Sequence, residues 1–404
     1  MLQTNFAPWP CYTAEETEAV SRVLLSNRVN YWTGTECRAF ETDFATWAGS
    51  PHAIAVANGT LALDLALRGL GIGECNGGGS TDEVIVTPRS FLASASCVVN
   101  AGAVPVFADV DRDSGNICIA TIKEVVTDST KAIIPVHLAG WPCEMEPIIE
   151  LAAQIGAFVI EDCAQAHGAL YRGQSVGSIG DVGAWSFCQD KIMTTGGEGG
   201  MVTCRDPELW SAMWSFKDHG KSWDAVYEQS HPPGFRWVHE RFGTNWRLTE
   251  MQAAIGRIQL RRMEQWAAAR NRNADMLHRS LEPYTDDRGP VRVPRLDIEQ
   301  NGSRHAYYKF YAYVRPENLR KGWTRDSILT RINSEGVPGY HGSCSEVYLE
   351  KAFDGTIFRP RHRLPIAREL GETSLMFLVH PSLTEEEMTR ACEVISGVLA
   401  QAAA

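Results

Sequence analysis

The sequence predicts an α/β fold, a mainly parallel sheet covered by helices and followed by a smaller α+β unit. Three observations carry this. Short apolar runs rich in Val and Ile recur at residues 53–57, 83–86, 104–107, 132–136 and 158–161, as buried parallel strands do. Helical stretches lie between them. In residues 60–70, Leu63, Ala66, Leu67 and Leu70 fall at i, i+3, i+4 and i+7, and Gly71 and Gly73 mark the stop. Beyond about residue 265 the pattern changes to long helices and short antiparallel-looking strands such as residues 307–314.

These patterns divide the chain into an amino-terminal arm plus large domain at residues 1–264 and a small α+β domain at residues 265–404. The last helix is well signalled. Thr384 and Glu387 form a capping-box pair ahead of Met388, Ala391, Cys392, Ile395 and Leu399. Residues 77–80 read as a flexible surface insertion, and residues 217–243, with Pro232 and Pro233, as a long loop. Long loops inside compact domains are often functional.

Composition narrows the function. The 38 basic residues are outweighed by 49 acidic ones, for a net charge of -11, so a nucleic acid would need a strong local basic patch. The densest cluster, Arg359, Arg361, His362 and Arg363, is interrupted by Pro360, is followed by Pro365 and reads as a solvated loop. The start MLQTNFAPWPCYTAEE has neither a basic nor an apolar leader region. No run approaches the roughly eighteen apolar residues of a membrane span. The expectation is a soluble cytoplasmic protein. Eleven dispersed cysteines with no C-x-x-C pair argue against a disulfide framework and against a zinc site, and no metal is expected.

Three segments carry the chemistry. Asn58-Gly59-Thr60 follows a strand and opens a helix, where free N–H groups and the helix dipole can hold a phosphate. An N-cap threonine after a glycine turn would look the same. The strand of residues 158–161 leads into Glu161 and Asp162. A carboxylate at the carboxyl end of a parallel strand lies where α/β sheets bind ligands, and a buried one needs a cationic partner such as a pyridinium nitrogen. Capping of the next helix is the alternative. The third segment is SFCQDKIMTTGGEGG, in which Lys191 stands between an apolar strand and a glycine-rich turn. A lysine in such a crowded place can lose its proton and form a Schiff base. The glycines match neither nucleotide-phosphate loop pattern.

Together the segments resemble one family, the DegT/StrS-type sugar-nucleotide aminotransferases among the fold-type I pyridoxal-phosphate enzymes. The resemblance covers nearly the whole chain through NYWTGTECRAFETDFA, VANGTLALDLALRGLGIG, DEVIVTPRSFLASA, AGAVPVFADVD, AIIPVHLAG, IEDCAQAHGA, GDVGAWSFCQDKIMTTGGEGGMV and FGTNWRLTEMQAAIGRIQL. It implies a seven-stranded sheet in the large domain and pyridoxal 5'-phosphate as cofactor. Lys191 becomes the Schiff-base lysine and proton shuttle, and Asp162 the partner of the ring nitrogen. Gln165 lies near the ring hydroxyl, and Phe91 stacks on the ring. Gly59, Thr60 and Ser186 hold the phosphate, and Asn245 reaches it from the partner subunit of a homodimer. Thr33, His219 and Tyr340 face the sugar.

The implied reaction moves an amino group from an amino acid, L-glutamate by expectation, to a nucleotide-linked keto sugar, a 4-keto-6-deoxyhexose by expectation, for polysaccharide or glycan precursors. Alternatives are a cyclitol ketone as acceptor, a pyridoxamine-dependent sugar dehydratase, in which a histidine would replace Lys191, and a non-catalytic regulatory homologue. Residues 73–81 and 217–243 are longer than the family's usual links, and both bear on the substrate entrance.

Overall fold

The computed structural model describes residues 6–296 and 302–404, so residues 1–5 of the expected arm lie outside the described residues. The large domain begins its sheet with β1 (His52–Val56), β2 (Glu83–Val86), β3 (Val104–Phe107), β4 (Thr130–Ile134) and β5 (Phe158–Asp162). After a short hairpin of β6 (Leu170–Tyr171) and β7 (Gln174–Ser175) come β8 (Val182–Ser186) and β9 (Gly200–Cys204). The order across the sheet is β1-β9-β8-β5-β4-β2-β3. β9 runs antiparallel to both β1 and β8, while the remaining pairings are parallel. Every strand of this seven-stranded sheet except β9 therefore points the same way, and their carboxyl ends share one edge. β4 ends at Ile134, earlier than the apolar run suggests, because Pro135 has no N–H to continue the ladder.

The small domain holds an antiparallel sheet of β10 (Val291–Arg292), β11 (Phe310–Val314), β12 (Gly339–Tyr340) and β13 (Ser374–Phe377) in the order β10-β11-β13-β12. Ile328, Ile332, Leu375, Ile395 and Leu399 pack its core. The final helix, Glu385–Ala402, starts with the capping box read from the sequence: Thr384 Oγ1 accepts the Glu387 N–H at 3.1 Å, and Glu387 Oε2 accepts the Thr384 N–H at 2.7 Å.

One helix, Glu250–Leu281, joins the two cores. Ala253, Leu260, Met263 and Trp266 pack into the large domain, whereas Ala274, Leu277 and Leu281 pack into the small one. The expected division at residues 264 and 265 thus falls inside a continuous helix. A second link replaces the start of an expected strand. β11 opens at Phe310 and not at residue 307, because Tyr307 adopts φ of 45°, outside the range a strand tolerates. Residues 306 to 308 turn instead toward the large domain. The Ala306 N–H donates to Gly140 O at 2.9 Å and the Tyr308 N–H to Ala139 O at 2.8 Å.

Two further expectations change. The glycine insertion at residues 77–80 is pinned, since Asp82 Oδ2 accepts the N–H groups of Gly73 at 3.0 Å and Gly79 at 2.9 Å. The loop at 217–243 contains a short helix, Trp223–Tyr227, anchored by Trp223 against Trp214 with ring centroids 5.0 Å apart. All eleven cysteines are free. No helix among the described residues is long and apolar enough to cross a membrane.

The sheet's active edge is stapled by Glu161. Its fully buried carboxylate accepts N–H groups from Gly177 at 2.8 Å, Ile179 at 2.8 Å and Gly180 at 2.7 Å. His137 completes the set. The Cys143 N–H donates to His137 Nδ1 at 2.9 Å, which leaves Nε2 to donate to Glu161 at 3.0 Å. His137, Glu161 and Cys163 lie close enough to hold a metal ion, yet these hydrogen bonds already engage Glu161 and both His137 nitrogens. Glu161→Ala leaves four buried donors unpaired, and a loss of about 3–5 kcal/mol in unfolding free energy is expected from urea denaturation.

Candidate active site

At the carboxyl end of β1 the chain turns into the helix Gly59–Gly69. Asn58 is the cap, its Oδ1 accepting the Leu61 N–H at 2.9 Å. Thr60 therefore lies in the first turn, not at the cap position. The N–H groups of Gly59 and Thr60 belong to the end of the helix that has no intrahelical acceptors. Gly59 also lets the helix approach β8 closely: a Cβ there would sit 2.5 Å from Ser186 Cβ. Ser186 ends β8 and is buried, so one wall of the edge consists of backbone N–H groups and a serine hydroxyl.

The neighbouring strand β5 delivers Asp162 on the opposite face from Glu161, because side chains alternate along a strand. Asp162 is 4% exposed. Its Oδ2 accepts the Ser94 hydroxyl at 2.8 Å and its Oδ1 the Ala164 N–H at 3.1 Å. Ser94 lies 2.8 Å from Ser90 Oγ, which continues the chain of hydroxyls. Asp162 forms no salt bridge among the described residues, and Glu161, by contrast, has its acceptor positions filled by four donors. A buried carboxylate with so few partners calls for a cation. Gln165, also buried, uses Oε1 to accept the Ala139 N–H at 2.9 Å, where Ala139 has φ of 57°.

Lys191 lies in the loop between β8 and β9, its side chain 15% exposed. Its backbone is fixed at both ends: its N–H donates to Cys188 O at 3.1 Å, and its carbonyl accepts Trp9 Nε1 at 2.7 Å. Lys191 Nζ is 4.0 Å from Asp190 Oδ1 and 5.1 Å from the centre of the Tyr308 ring. The Tyr308 hydroxyl donates to Asp190. Burial pushes the Asp190 carboxyl up, but the Lys191 charge and the Tyr308 hydrogen bond outweigh it and hold the group below its ordinary range. His167 lies against Trp185 and Phe187. Burial, reinforced by the charges of Lys191 and Arg270, brings its pKa down to about 3, so this imidazole is neutral at physiological pH.

The remaining expected residues stand at the surface of the single chain. Phe91 follows β2 and is 70% exposed, a position open for a flat ring to cover. Asn245 is exposed and pairs through its backbone with Asp218. The adjacent Trp246 carbonyl accepts the Ala57 N–H at 2.9 Å, which sets Asn245 beside the end of β1. Thr33 bonds to Asn30 through its hydroxyl at 3.1 Å. His219 adopts φ of 60°, and Tyr340 belongs to β12 in the small domain. No direct hydrogen bond or ion pair joins these three to Lys191 or Asp162 among the described residues. Sequence reading missed Ser94, Trp9, Tyr308 and Lys309. Asp190 stood inside a quoted motif, but its partner Tyr308 lies 118 residues away.

Residues 10–396 match the profile of the DegT/DnrJ/EryC1/StrS aminotransferase family. The chain belongs to this family. A solved aminotransferase from Psychrobacter cryohalolentis is 61% identical and superimposes with a TM-score of 0.94, covering 98% of this chain and 99% of that one. GDP-perosamine synthase of Escherichia coli O157:H7 is 33% identical over 96% of each chain. The UDP-N-acetyl-3-dehydro-alpha-D-glucosamine 3-aminotransferase of Acidithiobacillus ferrooxidans is 34% identical, covering 98% of this chain and 96% of that protein.

As a member of this family the protein is a transaminase that uses pyridoxal 5'-phosphate. The residues present fit that group. Asp162 is a buried carboxylate without a counter-cation among the described residues, and Gly59 keeps the phosphate-binding type of helix end clear of any side chain against Ser186. Gly59→Ala forces a methyl group against the β8 backbone, so the dissociation constant for pyridoxal phosphate is expected to rise at least about tenfold, as read by absorbance titration of the cofactor-free protein.

Proposed function

We propose that this transaminase moves an amino group from an amino acid, with L-glutamate as the expected donor, onto a keto sugar carried by a nucleotide, with C4 of a 6-deoxy-4-keto hexose as the expected acceptor. The observation that carries the site assignment is that Asp162 ends β5, Ser186 ends β8 and Gly59 packs against Ser186 at one carboxyl edge of the sheet, with Lys191 in the loop that leaves β8. The substrate class is supported by two relatives whose names place them on GDP-linked and UDP-linked sugars.

In this reading Gly59, Thr60 and Ser186 hold the phosphate, and Asn245 reaches it from a second subunit, making a homodimer with shared sites. Asp162 pairs with the ring nitrogen, Gln165 lies beside the ring hydroxyl, and Phe91 covers the ring face. Thr33, His219 and Tyr340 line the sugar side. The bound cofactor supplies an electron sink for a carbanion next to nitrogen. Asp162 would pair with the ring nitrogen and hold its proton. Lys191 holds the cofactor covalently through Nζ and, when released, takes the substrate α-proton and delivers it to the neighbouring centre. Trp9 and Cys188 fix the Lys191 backbone, so that only the side chain moves.

The protein supplied with pyridoxal phosphate is expected to absorb at roughly 400–430 nm, and L-glutamate to convert that band to one in the near ultraviolet. A colourless protein unchanged by added cofactor would overturn the reading. Borohydride reduction is expected to fix the cofactor's mass on the peptide carrying Lys191, and Lys191→Ala to abolish that adduct. Asp162→Asn is expected to keep the adduct while kcat falls by roughly a thousandfold, measured with a panel of nucleotide-linked keto sugars whose products also report whether C4 or C3 is aminated.

A further inference from the structure

Beside Lys191 stands a second lysine that the reaction as described leaves unused. Lys309 precedes β11, and its Nζ lies 4.9 Å from the centre of the same Tyr308 ring that Lys191 approaches at 5.1 Å. The charges acting on Lys309 are unbalanced. Arg270 and Lys191 are positive, and Asp190 alone is negative. Asp190 is already engaged by the Tyr308 hydroxyl and by Lys191.

Arg270 deepens the imbalance. It is buried, and while its Nη1 donates to the carbonyls of Tyr307 at 3.2 Å and Tyr308 at 3.3 Å, its Nε and Nη2 have no acceptor among the described residues. His380, the other titratable group facing this cluster, is neutral, its pKa brought down to about 3 by burial and by the charges of Arg270 and Lys309. Lys309 forms no salt bridge among the described residues. A partly buried ammonium amid excess positive charge gains most from an incoming anion.

We propose that Lys309 receives the α-carboxylate of the amino donor, an assignment that rests on the transaminase reading of the Lys191 site. An α-amino acid carries its carboxylate on the same carbon as the transferred nitrogen, so a cation that shares the Tyr308 ring with Lys191 is placed to meet it. A keto sugar has no anion on the carbons flanking its ketone, and its phosphates lie across the ring. Lys309 therefore acts on the donor half of the reaction.

Burial and the neighbouring cations bring the Lys309 ammonium down to about 8, against the opposing pull of Asp190. Donor binding that needs this cation is present below that pH and lost above it. The test is the concentration of L-glutamate, or of other α-amino acids in a panel, that half-saturates the change in the cofactor band of the loaded enzyme. Lys309→Met is expected to raise it at least tenfold with the band itself intact, and to abolish its rise above about pH 8. Lys309→Arg is expected to restore tight binding and carry it to higher pH. An unchanged half-saturation in Lys309→Met, or a wild-type band that no α-amino acid alters, would overturn the proposal. A wild-type protein with no band at all would instead sink the transaminase site reading.

Discussion

The Glu161 carboxylate is the interaction on which the edge of the sheet depends. Three backbone N–H groups from the turn before β8 and the Nε2 proton of His137 after β4 converge on it. Because those donors come from the segments on either side of β5, one buried charge sets the relative positions of three strand ends. Such a charge is tolerated in an apolar interior only when its acceptor capacity is filled, and here it is. The adjacent Asp162 has the opposite character. Among the described residues it has two hydrogen bonds and no cation, so the chain places a satisfied acid and an undersatisfied one side by side and turns them to opposite faces of the sheet.

The second organising feature is the crossing between domains. Residues 306 to 308 leave the small-domain sheet and bond to residues 139 and 140 of the large domain. That detour brings Tyr308 and Lys309 to Lys191, and it also reaches Gln165 through Ala139. Small-domain packing thereby reaches the Lys191 loop through Tyr308, whose hydroxyl bonds to Asp190. The continuous helix Glu250–Leu281 supports this arrangement by sharing its apolar face between the two cores and by supplying Arg270 beneath it.

Much of the fold was legible because its signals are local. A buried parallel strand reads as an apolar run, an amphipathic helix as a 3.6-residue period, and a helix start as Thr384 with Glu387. The family motifs placed Lys191, Asp162, Gly59 and Ser186 at strand ends, and the structure brings those ends to one edge. Where reading and structure part, a single backbone constraint is responsible: Pro135 closing β4, the positive φ of Tyr307 delaying β11, and Asp82 tying down a glycine-rich turn.

By itself, then, the sequence determined the recurring apolar strands with helices between them, the parallel class of the sheet, the family, and the candidates for the reactive amine and the buried acid. Each is written in residue types at short spacing, where propensity and periodicity act. Only the tertiary structure decided that Glu161 is a staple and not a reactive acid, that Ser94 supports Asp162, that Trp9 fixes the Lys191 backbone, and that Tyr308 and Lys309 stand beside it. Those relations join residues far apart in the chain, and no local pattern encodes them, because hydrogen bonding and burial depend on what folding brings near and not on what lies next in sequence.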